Sequence, residues 1–124
     1  MNLMLYRNDK HKVGFENAVR KKDIKNYTLM AALYLLTADL RLWQIMKHHT
    51  ERNKINFERV RLNGINEDAY TLYCTAKDLH LGTKYLTASD LADTDLISPR
   101  MFTVICNAIT VRRFGLNSII FQEN

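Results

Sequence analysis

Residues Tyr27–Leu36 constrain the fold more than any other part of the sequence, because nine of these ten consecutive residues are hydrophobic. A helix at a protein surface needs one apolar stripe, whereas the apolar side chains here would cover nearly the whole circumference of a helix. Such a helix is stable in water only when other elements enclose it. We therefore predict that Tyr27–Leu36 is the central buried helix of the domain.

Two further helices are predicted around this segment from their start signals. Asn8 or Asp9 can cap a first helix that continues to about Lys22. Thr37 is predicted to cap a third helix over residues 38–48. The side chains expected to face the core are Phe15, Ala18 and Val19 in the first helix, and Leu40, Trp43 and Ile45 or Met46 in the third.

The second half of the chain carries the clearest helix boundaries. Asn66 is predicted to cap a helix that Gly82 ends, and residues 87–90 have the form of a capping box that opens a short helix. Ser98 followed by proline starts the last helix, which Gly115 ends. The expected inner stripe of the Asn66 helix is Ala69, Leu72, Ala76 and Leu79, widened by Tyr73 and Cys74. The last helix has two apolar stripes and is expected to be a second core helix: Phe102, Ile105, Cys106 and Ile109, and Met101, Val104, Ala108 and Val111.

Two segments are ambiguous. Residues 55–60 fit a short helix or a brief strand, and we favour the helix. Residues 119–121 either dock on the core or form one short strand. With 124 residues, one proline and four glycines, the chain is predicted to be a single all-α domain, residues 1–124, built as a compact bundle of about six helices.

The positive charge is concentrated in the first half of the chain. The formal charge is +5; residues 1–26 contribute +4, residues 27–66 contribute +3 and residues 67–124 contribute −2. A positive region attracts polyanions or an acidic protein surface through its long-range field. The alternative is that these side chains are simply the solvated faces of helices.

The familiar signatures of catalysis and metal binding are missing from the sequence. It contains no HExxH, P-loop, GxGxxG or GxSxG motif, and the two cysteines lack CxxC spacing. His48 and His49 are adjacent and cannot easily bind one ion, while His11 and His80 are isolated. We expect no enzymatic activity, no cofactor and no metal, with the histidines solvated near helix ends.

Cys74 and Cys106 both lie in apolar helical runs and are expected to be reduced core thiols, with a disulfide between neighbouring helices as the alternative. No apolar stretch is long enough for a signal peptide or for a membrane span. The predicted location is therefore the cytoplasm, without membrane association.

Residues 86–102 resemble the helix-turn-helix pattern of repressor-type DNA-binding proteins. Asp95 departs from the pattern where a buried leucine is usual, and Leu96 where the turn usually has glycine. Residues 86–115 contain three acidic and three basic side chains, so this unit is neutral, whereas DNA binding requires the neutralisation of several phosphates. Direct nucleic-acid binding is kept as the alternative function.

Several segments together carry a resemblance to a known family: residues 34–39 (YLLTAD), 42–43 (LW), 55–57 (INF), 89–93 (SDLAD) and 111–116 (VRRFGL). They resemble a family of small helical proteins from Gram-positive bacteria and from their phages and mobile elements. The resemblance extends over about residues 10–117. No activity is established for the family, so it implies no site residues. It implies a stand-alone cytoplasmic helical protein with an accessory role, such as the inhibition of a bacterial defence complex.

These observations favour a non-enzymatic protein that binds another macromolecule. The preferred partner is a host protein, such as a nuclease or a CRISPR-type defence effector, that the chain inhibits or modulates. A homodimer remains open because the chain is 47% hydrophobic and can leave an apolar patch exposed. The candidate partner-binding residues are Arg20, Lys21, Lys22, Tyr27, Arg41, Lys47, Arg59 and Arg61.

Overall fold

Six α-helices make up most of the chain that the computed structural model describes, residues 6–116. They are α1 (Asp9–Val19), α2 (Tyr27–Leu36), α3 (Leu40–Met46), α4 (Glu67–Leu81), α5 (Ala88–Ala92) and α6 (Pro99–Phe114), with a 3₁₀ helix (Lys47–His49) after α3. Residues 6–116 form no β-strand. Among them, Thr50 and Ile55 form an isolated antiparallel β-bridge. The predicted all-α bundle of about six helices is confirmed.

Helix α2 is the centre of the bundle, as its sequence predicts. All eight residues from position 29 to 36 are buried. The Tyr27 ring packs on Gly115 at the end of α6, while the Tyr34 hydroxyl accepts a hydrogen bond from Asn107 Nδ2 at 3.2 Å, further back along α6. Helices α2 and α6 therefore run in opposite directions. Each fully buried leucine of α2 contributes on the order of 2 kcal/mol through the hydrophobic effect.

Helix α4 covers another side of α2 and also runs antiparallel to it. The start of α4 lies near the end of α2, because Arg7 bridges Asp39 and Asp68 with N···O distances of 3.8 Å. The predicted cap, Asn66, accepts the backbone N–H of Ala69 at 2.9 Å, and Gly82 ends the helix with φ of 80°. The capping box at residues 87–90 and the Ser98 cap of α6 are confirmed as well. As a result, α4 and α6 both end at the end of the bundle where α2 begins.

Helix α1 is shorter than predicted, since it ends at Val19 and not near Lys22. Lys21 has a φ of 66°, a left-handed conformation that interrupts the helix. The chain turns there, because the Lys22 N–H bonds back to the Val19 carbonyl at 3.0 Å. The cluster of basic residues 20–22 therefore lies on a loop. The predicted Asn8 cap is confirmed: Asn8 accepts the His11 N–H at 2.8 Å.

The predicted start of α3 was wrong. The Thr37 hydroxyl donates to the Leu33 carbonyl at 2.7 Å and so closes the last turn of α2. Asp39 is the cap of α3 instead, and its carboxylate accepts the Leu42 N–H at 2.8 Å. This moves the inner stripe: Leu42 is fully buried, whereas Leu40, predicted to face inward, is 55% exposed.

The favoured helix over residues 55–60 is also wrong. Asn56 is not a helix cap, because its side chain accepts the Glu58 N–H two residues ahead at 2.9 Å and forms a tight turn. Arg59 follows in a left-handed conformation with φ of 59°. Ile55 and Phe57 are buried two positions apart, which is the spacing of an extended chain.

Of the two predicted apolar stripes of α6, that of Met101, Val104, Ala108 and Val111 is buried throughout, whereas the other is buried at Ile105 and partly at Cys106, because α2 and α4 pack against one side of this helix. Its buried residues are Met101, Val104, Ile105, Ala108 and Val111. Phe102 is 44% exposed and Ile109 is 40% exposed. The prediction for residues 119–121 lies outside the described residues. Among the described helices, none combines the length and apolarity of a membrane-spanning segment.

Candidate binding surface

Two loops that are distant in sequence meet at one end of the bundle. Asn26 donates from its side chain to the Asn53 carbonyl at 2.9 Å, and Lys22 Nζ donates to the Glu51 carbonyl at 3.1 Å. These two bonds place the loop between α1 and α2 against residues 51–54. Basic side chains from both loops therefore share one surface: Arg20, Lys21, Lys22 and Lys25 from the first, and Arg52 and Lys54 from the second.

The end of α6 joins the same surface. The Tyr27 ring lies so close to Gly115 that a Cβ atom there would be 2.6 Å from the ring. Arg112 Nε donates to the Leu79 carbonyl in the last turn of α4 at 3.2 Å. Residues 20–27, 51–54 and 112–116 are called the basic end below. Their charged side chains are eight basic (Arg20, Lys21, Lys22, Lys25, Arg52, Lys54, Arg112 and Arg113) and two acidic (Asp23 and Glu51).

The charge of the basic end is not neutralised within the described chain. Eight basic and two acidic side chains give +6, more than the formal +5 of the whole protein. Over residues 6–116, none of the eight basic side chains forms an ion pair. Three helices, α1, α4 and α6, end here, and their carbonyl ends favour nearby cations. This effect accounts for Arg112 and Arg113 in the last turn of α6 but not for the cations on loops, Lys25, Arg52 and Lys54.

Exposed apolar side chains lie between these cations. Ile24 is 46% exposed, Tyr27 39% and Phe114 53%. They line a cleft of about 140 Å³ together with Lys25, Gly115 and Leu116. The Arg113 guanidinium lies 5.3 Å from the centre of the Phe114 ring. The basic end thus has an apolar centre and a basic rim.

The structure brings together half of the predicted binding residues. Arg20, Lys21, Lys22 and Tyr27 lie in the basic end. Arg41 does not: it donates to the Asn63 carbonyl at 3.2 Å and lies over Gly64, where it holds a loop in place. Among the described residues, no hydrogen bond links the other three, Lys47, Arg59 and Arg61, to the basic end.

Sequence reasoning missed Lys25, Arg52, Lys54, Arg112 and Arg113, as well as the apolar Ile24 and Phe114. For Arg112, Arg113 and Phe114, the only sequence signal is that they form a run directly before the helix-ending Gly115. That run indicates a basic helix end. Its position beside the loop at residues 20–26 depends on the antiparallel packing of α2 and α6, which no local pattern encodes.

His11 is buried and its pKa is strongly lowered, so the prediction that it is solvated was wrong. It is 1% exposed, its Nδ1 accepts the Arg7 backbone N–H at 2.9 Å, and its Nε2 lies 2.7 Å from the Tyr34 carbonyl. Because Nδ1 accepts, the proton of the neutral ring is on Nε2 and is donated to Tyr34. Burial lowers the pKa of His11 to about 4, with a smaller effect of Arg7 in the same direction and an opposing effect of the Tyr34 carbonyl.

The other buried polar groups near His11 are also engaged in structure. Burial raises the pKa of Tyr34 to about 12, while the hydrogen bond from Asn107 partly offsets this effect. The centroids of the Tyr6 and Tyr34 rings lie 5.1 and 4.7 Å from that of the imidazole. The Phe15 ring packs on both tyrosines, with centroid distances of 6.0 Å to Tyr6 and 5.7 Å to Tyr34. Both ring nitrogens of His11 are bonded to backbone. The arrangement fastens the start of α1 to α2.

His80 and the two cysteines have structural surroundings as well. His80 is partly buried and its Nε2 accepts the Ile55 N–H at 3.1 Å; burial lowers its pKa, against the effect of the Thr28 carbonyl. Cys74 is buried and Cys106 partly buried; both are free thiols whose pKa is raised by burial. Thiols with a raised pKa are poor nucleophiles at neutral pH.

The described residues contain no group of three or more His, Cys, Asp or Glu side chains placed to hold a metal ion. No protein-family model, no curated protein and no solved structure matches the chain.

Proposed function

We propose that this chain is a non-enzymatic binding protein that attaches to an acidic surface of another protein through its basic end. The observation that carries the proposal is the apolar centre formed by Ile24, Tyr27 and Phe114 among eight basic side chains that form no ion pair within residues 6–116. Protein interfaces commonly have this anatomy, with a desolvated apolar core and a polar rim. Tyrosine and arginine are also the residue types that dominate binding energy at such interfaces.

The resemblance described above suggests the biological setting. It implies an accessory role, and we propose that the partner is a host nuclease or a CRISPR-type defence effector that the chain inhibits or modulates. Charge complementarity favours an acidic region of that partner. In a nuclease, such a region includes the carboxylates that hold the catalytic metal ions.

The proposal is tested by capture from a lysate of the native host, with and without nuclease treatment. The wild-type chain is compared with a double variant of the basic end, Lys25→Glu/Arg113→Glu. A matched control, Lys10→Glu/Lys12→Glu, makes the same change of charge on the exposed first turn of α1, at the opposite end of the bundle. We expect a protein partner that is retained after nuclease treatment, lost with the basic-end variant and retained with the control. Equal capture by all three chains would contradict the proposal.

Direct binding of DNA or RNA is the second candidate, because a cluster of +6 also suits a polyanion. It is distinguished by fluorescence anisotropy with random duplex DNA at about 50 mM and about 200 mM salt. If affinity is high at low salt and falls by orders of magnitude at the higher salt, nucleic acid replaces protein as the partner. The protein-partner proposal expects no binding in either condition.

Nucleic-acid binding through the predicted helix-turn-helix is less well supported than nucleic-acid binding through the basic end. Helices α5 and α6 exist, but Asp93 and Asp95 are exposed on the turn between them, where they would repel phosphates. Helix α6 would be the recognition helix, but Met101 and Val104 in its first turns are buried in the core. The basic side chains Arg112 and Arg113 lie at the far end of α6.

A further inference from the structure

One flank of α4, beside its buried stripe, exposes large apolar side chains together with the residues next to it. Tyr70 and Leu81 are each 55% exposed, and Tyr85 and Leu96 beside them are 54% and 48% exposed. Lys77 lies between Tyr70 and Leu81 on the helix and donates to the Tyr85 hydroxyl at 3.1 Å. We call this surface the α4 face: Glu67, Tyr70, Lys77, Leu81, Tyr85, Asp95 and Leu96.

The two halves of the α4 face differ in shape. The half near the start of the helix contains the N-terminal cleft, of about 510 Å³, which is lined by Leu62, Ile65, Glu67, Tyr70, Asp95 and Leu96. The half near the end of the helix presents Lys77 and Leu81 at the edge of a smaller hollow of about 360 Å³. Tyr70 and Leu81 are eleven positions apart, about 16 Å along the helix axis.

The two halves also differ in charge. Glu67 and Asp95 make the N-terminal cleft acidic, while Lys77 and Lys54 outweigh Glu58 around the hollow of the other half and leave it basic by one charge. A two-fold interface brings the same surface of two copies together in opposite directions, so that one half of the face meets the other half of its copy. A face with an acidic apolar cleft at one end and the exposed Leu81 beside Lys77 at the other is therefore complementary to itself.

We propose that two copies of this chain form a two-fold dimer through the α4 face, with their α4 helices antiparallel. Leu81 of each copy enters the N-terminal cleft of the other, and Lys77 of each copy pairs with Glu67 of the other. The two-fold axis then crosses α4 at about position 72, midway between residues 67 and 77. Burial of Tyr70, Leu81 and Leu96 provides the hydrophobic contribution, and the two Glu67–Lys77 pairs fix the register.

This dimer does not rest on the proposed function. Helix α4 ends near the basic end, so an antiparallel arrangement places the two basic ends on opposite sides of the dimer. Lys54 of the basic end lines the hollow beside Lys77 and Leu81, but Lys25 and Arg113, the residues changed in the capture test, do not. The residues of the charge pair, Glu67 and Lys77, also lie outside the basic end. Loss of the dimer and loss of partner binding can therefore be observed separately.

The test is a charge swap measured by sedimentation equilibrium of the full chain at about 0.15 M salt, where the net charge of each copy is largely screened. Glu67→Lys places two lysines at each contact of a homodimer, and Lys77→Glu places two glutamates there. We expect each single variant to dimerise at least about tenfold more weakly than the wild type. Mixed together, the two variants restore both opposite-charge contacts, and the mixture is expected to dimerise like the wild type. The double variant in one chain is expected to form a homodimer again.

Matched controls are Lys12→Glu and Glu16→Lys, which make the same changes on the exposed surface of α1 and should leave dimerisation unchanged. Far-UV circular dichroism checks that every variant is folded. A Leu81→Asp variant is expected to be monomeric because it places a carboxylate in the acidic cleft. A monomeric wild type, single variants that dimerise normally, or a mixture that fails to associate would each overturn the proposal.

Discussion

The two ends of the bundle use their polar side chains differently. At the end where α1 begins, Arg7 bridges Asp39 and Asp68, and the buried His11 bonds to the backbone of Arg7 and of Tyr34. At the basic end, eight cations have no acidic partner in the described chain. We call the first of these the clamp end, defined by Arg7, His11, Tyr34, Asp39 and Asp68.

The difference indicates which end stabilises the fold and which end is available for binding. His11 and Tyr34 of the clamp end are buried and hydrogen-bonded, so removing either side chain costs hydrogen bonds and core packing. Most cations of the basic end are exposed and repel one another, so removing one that holds no neighbouring segment by a hydrogen bond, such as Arg113, costs little. Stability should therefore respond to changes at the clamp end, and partner binding to changes at the basic end.

The largest expected effect is on stability, from His11→Ala. The change removes two backbone contacts, takes from the Arg7 N–H its acceptor, and opens a cavity beside the rings of Tyr6 and Tyr34. We expect a loss of about 3–4 kcal/mol in the free energy of unfolding, measured by urea denaturation. The control His48→Ala removes an exposed imidazole and should change stability by less than about 0.5 kcal/mol. Similar losses for both variants would show that His11 does not fasten α1 to α2.

The lowered pKa of His11 makes the free energy of unfolding depend on pH, by nearly as much as the loss expected for His11→Ala. The folded protein binds a proton on His11 only near pH 4, whereas the unfolded chain binds it below its ordinary pKa of 6.5. The contribution of neutral His11 is therefore complete above pH 6.5 and declines as the pH falls from 6.5 to about 4. The difference between the folded and unfolded pKa values corresponds to about 3 kcal/mol of the free energy of unfolding.

This dependence is measured as the urea stability of the wild type between pH 7 and pH 4, relative to His11→Gln, which cannot titrate. His80 also has a lowered pKa and contributes in the same direction in both proteins, so the difference isolates His11. We expect the gap in stability between wild type and variant to shrink as the pH falls. A gap that stays constant over this range would mean that His11 is not held neutral in the folded state.

The sequence predicted those parts of the fold that depend on local chemistry. The helix caps Asn8, Asn66 and Ser98 each bond to a backbone N–H three residues ahead, and the buried helix α2 was evident from its uniform apolarity. Errors arose where two local solutions compete. Thr37 can cap a following helix or close a preceding one, and the choice depends on the Asp39 cap two residues later.

The candidate sites were less predictable, because they depend on contacts between distant segments. A lone histidine such as His11 gives no sign in the sequence that Tyr34, 23 residues away, will bury it. Residues 20–22 were singled out for their charge, but Arg112 and Arg113 join them only because α2 and α6 are antiparallel. Charge and cap patterns are local in sequence, while a surface is assembled by packing.

The smallest expected effect on stability comes from removing one arginine, and it should differ between the two ends of the bundle. Arg7→Ala removes a guanidinium that lies 3.8 Å from both Asp39 and Asp68 and donates to the Ala38 carbonyl at 3.2 Å. The distances are long and Asp68 is partly exposed, so we expect a loss of about 1 kcal/mol in unfolding free energy. Arg113→Ala removes a cation that has no acidic partner among residues 6–116 and relieves repulsion within the basic end, so urea denaturation should detect no loss.

The same pair of variants is informative in the capture assay, where the order should reverse. Arg113→Ala removes a rim cation beside Phe114 and should weaken capture of the partner, because the rim supplies the charge complementarity of the interface. Arg7→Ala lies at the opposite end and should leave capture unchanged in a folded protein. If Arg113→Ala destabilises the chain as much as Arg7→Ala does, the cations of the basic end are part of the scaffold. Their lack of acidic partners would then no longer argue for a binding surface.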